Sequence, residues 1–330
     1  MDGDHGDLVW RATIEGMAAT PLGLIDSLAA TQDGVVSRAQ LRELGVSRHQ
    51  VRDAVRARRW RLVGHAVVVH RGQLTRQARW WVAVFHLGPG SMLAAWTAAE
   101  AAGLTGFTVD AVHVVVPRGH RIRALPWMRV HESRRLHADD RRQGTPLPQV
   151  RAARAVLDLA SWSTKTRVGL AALAAAVQQG IVTVDQLRAE LAVAGRITRA
   201  RLIEKTLHDI EGGAQALSEI DFAVLCRRYG LPEPVRQVRR IDASGRTRYL
   251  DVWFRRADGR VVHVEIDGAV HLTPLNWWDD MDRQTDLAIA EDALVVRIAS
   301  PAIYVDPADV ARRVARALQV DPPQLRRHAA

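Results

Sequence analysis

The sequence predicts a multidomain protein of the α+β and α/β classes, and three observations lead to this prediction. The chain has 330 residues, which corresponds to two or three domains at about 100–200 residues each. Its apolar content of 48% is sufficient for a sizeable core. Helix-like and strand-like apolar periodicities alternate along it, with glycine turns between them.

Changes in this pattern divide the chain into six parts. They are a flexible lead-in (1–20), three helices with a hairpin (21–72), an α/β middle segment (73–162), a helical connector (163–212), a layered α/β domain (213–320) and a tail (321–330).

The segment 21–72 is predicted to form three short helices followed by two strands around Gly64. Ser37 and Ser47 are predicted to cap the second and third helices, and Gly45 to end the second. Two short helices across a tight glycine turn, followed by a basic hairpin, are typical of a winged helix-turn-helix.

The helix after Ser47 has an apolar side made of Val51, Ala54 and Val55, so its other side is polar. Arginine binds guanine and phosphate, and glutamine binds adenine, so we expect this polar side to contact DNA. A solvated basic face on a protein-interaction module is the alternative. The polar side consists of Arg48, His49, Gln50, Arg52 and Arg56.

The formal net charge of +10 favours an anionic partner, with nucleic acid the first candidate. The basic residues are almost all arginine, with Lys165 and Lys205 the exceptions, and a GC-rich genome also produces such a bias.

No apolar run reaches the roughly 18 residues of a membrane helix, so we expect a soluble, cytoplasmic protein without a membrane partner. The single cysteine, Cys226, excludes an intramolecular disulfide and is expected to be a buried thiol.

The middle and C-terminal parts alternate between helices and strands, and the middle part shows no catalytic spacing. In the middle part we predict helices at 92–104 and 150–159, a strand at 111–116 and another from 128. In the C-terminal part we predict helices at 217–229, 276–292 and 307–318, and strands at 235–241, 249–254, 261–266 and 294–298.

Three acidic residues lie inside predicted strands of the C-terminal part, although acidic residues are poor strand formers. Glu265 and Asp267 are two apart and share one face, and Asp251 lies on the preceding strand of the hairpin. If the register allows, Asp251 and Glu265 reach one Mg²⁺ or Mn²⁺ ion, with His271 nearby as a base or ligand. The alternatives are a hairpin-edge aspartate and a solvated Glu-x-Asp face.

These residues also carry a resemblance to a known family. The matching strings are Leu217-Ser218-Glu219, Tyr249-Leu250-Asp251-Val252, Val264-Glu265-Ile266-Asp267-Gly268 with His271, Asp282-Arg283 with Asp286, and Val296-Arg297. Together they resemble the Vsr-like domain, named for the very short patch repair endonuclease, within the restriction-endonuclease-like PD-(D/E)XK superfamily.

The resemblance implies a metal-dependent endonuclease in which Asp251 and Glu265 bind Mg²⁺ or Mn²⁺. It further implies that Asp267 and His271 position or deprotonate water, and that Glu219 is an auxiliary acid. Arg283 and Arg297 are implied to steady the phosphate or the fold. Asp267 stands where many superfamily members have lysine, which leaves the identity of the general base open.

The front of the chain resembles a second family, the AbiEi-type antitoxins of type IV toxin–antitoxin systems. The matching strings are 34–41, 45–48 and 60–62, with 93–99 and 146–160 in the middle segment, whereas 65–67 departs from the family's usual Gly-Val-Tyr. Two functions therefore remain. One is a DNA endonuclease, and the alternative is a repressor or antitoxin with a non-catalytic nuclease-like domain and DNA, a cognate toxin or itself as partner.

Overall fold

The computed structural model describes residues 21–211, 214–236, 240–241, 247–248, 252–267 and 295–320. In these residues the chain has a mixed architecture of helices and small sheets. This confirms the predicted α+β fold class. The chain forms two compact units. Among the described residues, the first comprises 21–103 and 108–155, and the second comprises 104–107 and those from 156 to 320.

The first unit begins with three helices and a small antiparallel sheet in which the order is β1-β3-β2. Both predicted caps are confirmed, since Ser37 accepts the backbone N–H of Gln40 and Ser47 accepts that of Gln50. Strand β1 was not predicted, because two residues give no periodicity. The elements are α1 (Pro21–Thr31), β1 (Val35–Val36), α2 (Arg38–Glu43), α3 (Arg48–Arg56), β2 (Arg61–Val63) and β3 (Ala66–Val68).

The rest of the first unit is built around a sheet of order β4-β5-β6, with β4 antiparallel and β6 parallel to β5. The elements are α4 (Arg76–Leu87), β4 (Met92–Leu93), α5 (Ala95–Ala101), β5 (Val112–Pro117), β6 (Met128–Ser133) and the start of α6 (Ala152–Trp162).

The predicted helix at 92–104 is wrong at its start. Met92 and Leu93 pair with Val115 and Val114 as a strand, and the helix begins only at Ala95. The run is buried on all sides, so its apolar pattern does not distinguish a short strand from a helix.

The second unit continues with α7 (Thr166–Gln178), α8 (Val184–Val193), α9 (Ala200–Ile210) and α10 (Ala214–Arg228). It then forms a sheet of order β12-β11-β10-β7, in which β11 is antiparallel to β10 and parallel to β12. The remaining elements are β7 (Val235–Arg236), β8 (Arg240–Ile241), β9 (Thr247–Arg248), β10 (Val252–Arg255), β11 (Val261–Asp267), β12 (Val295–Ala299), α11 (Ala302–Val305) and α12 (Pro307–Leu318).

The core of this unit contains Phe222 of α10, whose ring meets that of Phe254 edge-on at 6.2 Å, together with Val264, Val296 and Val314. The predicted single strand at 235–241 is wrong, because its described ends belong to different sheets. The predicted helix at 276–292 lies outside the described residues.

Candidate functional site

The polar side of α3 is the first candidate site. Ala54 is buried and Val51 and Val55 are half-buried against the rest of the module, so the opposite side of the helix faces solvent. All five predicted DNA-binding residues are exposed, as predicted: Arg48, His49, Gln50, Arg52 and Arg56.

These five side chains are not equally available. The Oε1 atom of Gln50 accepts the backbone N–H of Ser47 at 2.8 Å and completes a capping box. Nη2 of Arg52 lies 3.1 Å from Nδ1 of His49, and Nε of Arg52 lies 3.9 Å from Oδ1 of Asp53. Of the five, Arg48 and Arg56 form no side-chain hydrogen bond or ion pair with another described residue, and both are exposed.

The surroundings of α3 are strongly basic. Residues 21–72 contain nine arginines against Asp26, Asp33, Glu43 and Asp53, a formal charge of +5. An excess of this size in a module of about 50 residues attracts a polyanion over a distance of about one Debye length, or 8–10 Å.

The second candidate site lies on β11. Glu265 pairs in register with Arg297 of β12, and Nε of Arg297 donates to Oε2 of Glu265 at 2.8 Å. The side chain of Glu265 is 29% exposed and that of Arg297 54%, so the pair lies on the solvent side of the sheet. The neighbours Val264 and Val296 are buried on the other face, which explains why the strand alternation exposes Glu265.

Of the predicted nuclease residues, the structure brings together Glu265, predicted as catalytic, and Arg297, predicted to steady the phosphate or the fold. Asp251, His271 and Arg283 lie outside the described residues. Asp267 ends β11 and Glu219 lies within α10, but their side chains are also outside the described part. Within the described ranges, no group of three or more histidine, cysteine, aspartate or glutamate residues is arranged to hold a metal ion.

Two histidines of the first unit form a half-buried pair that was not predicted from the sequence. Nδ1 of His113 on β5 lies 3.1 Å from Nε2 of His131 on β6, and the rings stack at 5.2 Å between centroids. The pKa of each histidine is lowered to about 4, mainly by burial, with smaller contributions from the charge of Arg129 and, for His113, from His131. One ring must donate and the other accept in this contact, so at least one is neutral.

Burial shifts the pKa of two groups in the described part of the second unit, Asp209 and Cys226. Oδ2 of Asp209 accepts the hydroxyl of Ser300 at 2.9 Å, and burial raises the pKa of Asp209 to about 6. Burial also raises the pKa of the Cys226 thiol to about 12, which confirms the predicted buried thiol and excludes a thiolate nucleophile there.

Comparisons with known proteins give little further information. No protein-family model matches the chain. No curated protein matches it. Among solved structures it is similar to the RV2827C protein from Mycobacterium tuberculosis, with 18% identity and a TM-score of 0.35 over 56% of this chain and 75% of that one. In the part of the chain that the structure describes, no helix combines the length and apolarity needed to cross a membrane.

Proposed function

We propose that the protein binds double-stranded DNA through α3 of an N-terminal winged helix-turn-helix, and that its C-terminal part is a metal-dependent DNA endonuclease. The observation that carries the proposal is the basic side of α3, where Arg48 and Arg56 are exposed and unengaged within the described residues. The binding and the cleavage are separable claims with separate tests.

The geometry of residues 21–72 supports the DNA-binding claim. Helices α2 and α3 are joined by a short turn at Gly45, and an antiparallel hairpin follows them. In helix-turn-helix proteins the second helix of such a pair enters the major groove, and its N-terminal residues reach the base edges. Arg48 is the first residue of α3, so it is the residue that we expect to contact a guanine.

The capping box changes the expected role of Gln50. A bidentate contact with adenine requires the amide oxygen to accept from N6 while the amide nitrogen donates to N7. Because Oε1 accepts the N–H of Ser47, the amide is turned back towards the helix N-terminus, and the cap competes with this contact. We therefore assign Gln50 to helix initiation, and base contacts to the arginines.

The strand arrangement supports the cleavage claim. Val252 of β10 pairs with Val264 of β11, and these residues adjoin Asp251 and Glu265 in sequence. Mg²⁺ and Mn²⁺ prefer oxygen ligands. The half-exposed carboxylate of Glu265 supplies such oxygens and therefore fits a hard cation. Asp251 and Glu265 would hold the ion, which when bound activates water and stabilises charge on the scissile phosphate.

The other predicted residues have supporting roles in this proposal. Asp267 and His271 orient the water or accept its proton, and Glu219 is an auxiliary acid. Arg297 holds the carboxylate of Glu265 in a fixed orientation through the 2.8 Å hydrogen bond. Arg283 steadies the phosphate or the fold.

Equilibrium binding to a duplex, followed by fluorescence anisotropy between 50 and 200 mM salt, tests the DNA-binding claim. The double variant Arg48→Ala/Arg52→Ala is expected to bind more weakly, and its log–log salt slope to be shallower by about 0.9 for each phosphate that the helix no longer neutralises. The matched control is Arg196→Ala/Arg201→Ala, which removes the same charge from exposed positions of the second unit. Equal affinity and slope for wild type and the α3 variant would exclude this helix.

A second candidate function is a DNA-binding repressor or antitoxin without cleavage activity. One observation favours it: the guanidinium of Arg297 neutralises Glu265, an arrangement that stabilises the sheet without a cation. In this alternative the C-terminal domain is a binding or self-association module, and a cognate toxin is a partner. Tight DNA binding without cleavage separates the two functions.

A further inference from the structure

The first unit contains a cavity of about 480 Å³ beside the turn of the β2–β3 hairpin. Its walls come from the hairpin turn, the C-terminal end of α4 and the loop that follows β5. None of its lining residues is acidic, and the polar ones are three histidines and two arginines. The residues that matter here are His65, Phe85, His86, His120, Arg121 and Arg123.

His86 joins the walls of this cavity. Its Nδ1 accepts the backbone N–H of His65 at 3.1 Å, and its Nε2 donates to the carbonyl of Arg123 at 2.5 Å. Since Nδ1 accepts, the proton must be on Nε2, so both hydrogen bonds require the same neutral tautomer. The ring of His65 stacks on that of His86 at 5.1 Å, and His120 donates to the carbonyl of Leu87 at 2.8 Å.

The hairpin turn is shaped for this contact. Gly64 has a φ of +58°, and a Cβ atom at this position would lie 2.3 Å from Nδ1 of His86. Only glycine combines this backbone conformation with so close an approach. The cavity walls are therefore positioned by hydrogen bonds and packing before any ligand arrives.

The charge of the cavity defines its ligand class. The side chains of Arg121 and Arg123 are exposed, and within the described residues neither forms an ion pair. Their guanidinium groups are suited to the oxygens of a phosphate. No carboxylate or side-chain amide lines the cavity, so it lacks the oxygen acceptors that would bind the amino group of adenine or cytosine.

We propose that this cavity binds a backbone phosphate of DNA, with Arg121 and Arg123 as its ligands. The inference rests on the proposed DNA binding and extends the contact surface from α3 to the hairpin and the loop after β5. A backbone phosphate is favoured over a free nucleotide because the lining offers two exposed guanidinium groups for the phosphate but no carboxylate or side-chain amide to accept hydrogen bonds from a base. The interaction adds affinity and fixes orientation without contributing sequence preference.

The test uses the full chain and the double variant Arg121→Ala/Arg123→Ala, with duplex binding measured between 50 and 200 mM salt. We expect at least a fivefold weaker affinity at low salt and a salt slope shallower by about 0.9–1.8, corresponding to one or two neutralised phosphates. The ratio of affinities for two unrelated sequences is expected to stay within twofold of wild type. Arg121→Lys/Arg123→Lys, which retains the charge, should recover most of the slope.

The outcomes separate this inference from the proposed function. If Arg48→Ala/Arg52→Ala weakens binding while Arg121→Ala/Arg123→Ala matches the Arg196→Ala/Arg201→Ala control, the cavity assignment is wrong and DNA binding stands. If wild type binds no duplex, both fail. Calorimetry with dAMP provides a third arm. Loss of dAMP binding in the Arg121→Ala/Arg123→Ala variant, with unchanged duplex affinity, would overturn the backbone-phosphate assignment in favour of a free nucleotide.

Discussion

Gln50 and Arg48 are both exposed on the same side of α3, yet their surroundings give them different roles. Gln50 is bonded to the backbone of Ser47, whereas Arg48 has no side-chain partner within the described residues. Exposure alone therefore does not identify the side chains that are available for the proposed DNA contact. The difference comes from the helix N-terminus, whose unpaired N–H groups bind a nearby polar side chain and so remove it from contact with a ligand.

The capping role of Gln50 gives a prediction for stability. Gln50→Ala is expected to lower the free energy of unfolding by about 0.5–1 kcal/mol, because it removes one hydrogen bond from the cap. The preference of the protein for one DNA sequence over another should stay the same. Gln40→Ala is the matched control, since Gln40 caps α2 in the same way with Ser37. The capping role of Gln50 would be contradicted if Gln50→Ala left the free energy of unfolding unchanged but changed the preference between DNA sequences.

The hairpin and the segment after α4 show what the sequence can predict at the level of elements. The strand pair β10–β11 was predicted because apolar residues alternate between turn signals, as at Val252, Phe254, Val262 and Val264, and the β2–β3 pair because two short apolar runs flank Gly64. The β4–α5 segment was mispredicted because burial on all sides removes the alternation.

The cavity was missed for a different reason. Its walls come from positions 64–65, 85–88 and 120–123, which no periodicity connects. The available sequence signal was the basic string Arg118-Gly119-His120-Arg121-Ile122-Arg123, which has no spacing typical of a known site. The string lines a cavity only because His86 bonds to the backbone of both His65 and Arg123, which are far apart in sequence.

The close approach of Gly64 to His86 gives a prediction for the hairpin. Gly64→Ala introduces a Cβ atom 2.3 Å from the imidazole ring in addition to backbone strain at positive φ. Gly144→Ala carries similar backbone strain, at φ +75°, but a Cβ there meets no atom within 4 Å. Urea unfolding should show a destabilisation on the order of 1–2 kcal/mol for Gly144→Ala and a clearly larger one for Gly64→Ala. Equal destabilisation would mean that the hairpin moves away from α4 without cost.

At the scale of the whole molecule, the two units contain titratable groups whose pKa values shift in opposite directions. In the first unit, burial lowers the pKa of His113 and His131 from 6.5 to about 4. Between these values the unfolded chain binds more protons, so this contribution to stability is complete above pH 6.5 and is lost as the pH falls towards 4. Each histidine contributes at most about 3 kcal/mol.

Calorimetric unfolding at a series of pH values checks the histidine prediction. The transition of the first unit is expected to fall in temperature as the pH drops from 6.5 to 4, and His131→Gln should flatten this dependence. A variant that keeps the full wild-type dependence would show that the histidine pair titrates as it does in the unfolded chain.

The second unit is expected to respond in the opposite sense. Burial raises the pKa of Asp209 from 3.8 to about 6, so the folded state binds more protons between these values. Its contribution to stability is complete below pH 3.8 and is lost as the pH rises through about 6, by about 3 kcal/mol at most. In the same calorimetric series, Asp209→Asn should remove this decline while retaining a side-chain acceptor for the hydroxyl of Ser300. If the stability of wild type and variant falls equally as the pH rises, Asp209 is not the source of that fall.

A cleavage assay on supercoiled plasmid and duplex oligonucleotides is the decisive experiment for the proposed nuclease. Purified wild type is compared with Glu265→Gln in the presence of Mg²⁺, Mn²⁺ or EDTA, with duplex binding measured in parallel. We predict cleavage by wild type with either metal, none with EDTA, and none by Glu265→Gln at unchanged DNA affinity. Cleavage by Glu265→Gln at the wild-type rate would contradict the proposed site, and tight binding without cleavage under any condition would favour the repressor or antitoxin.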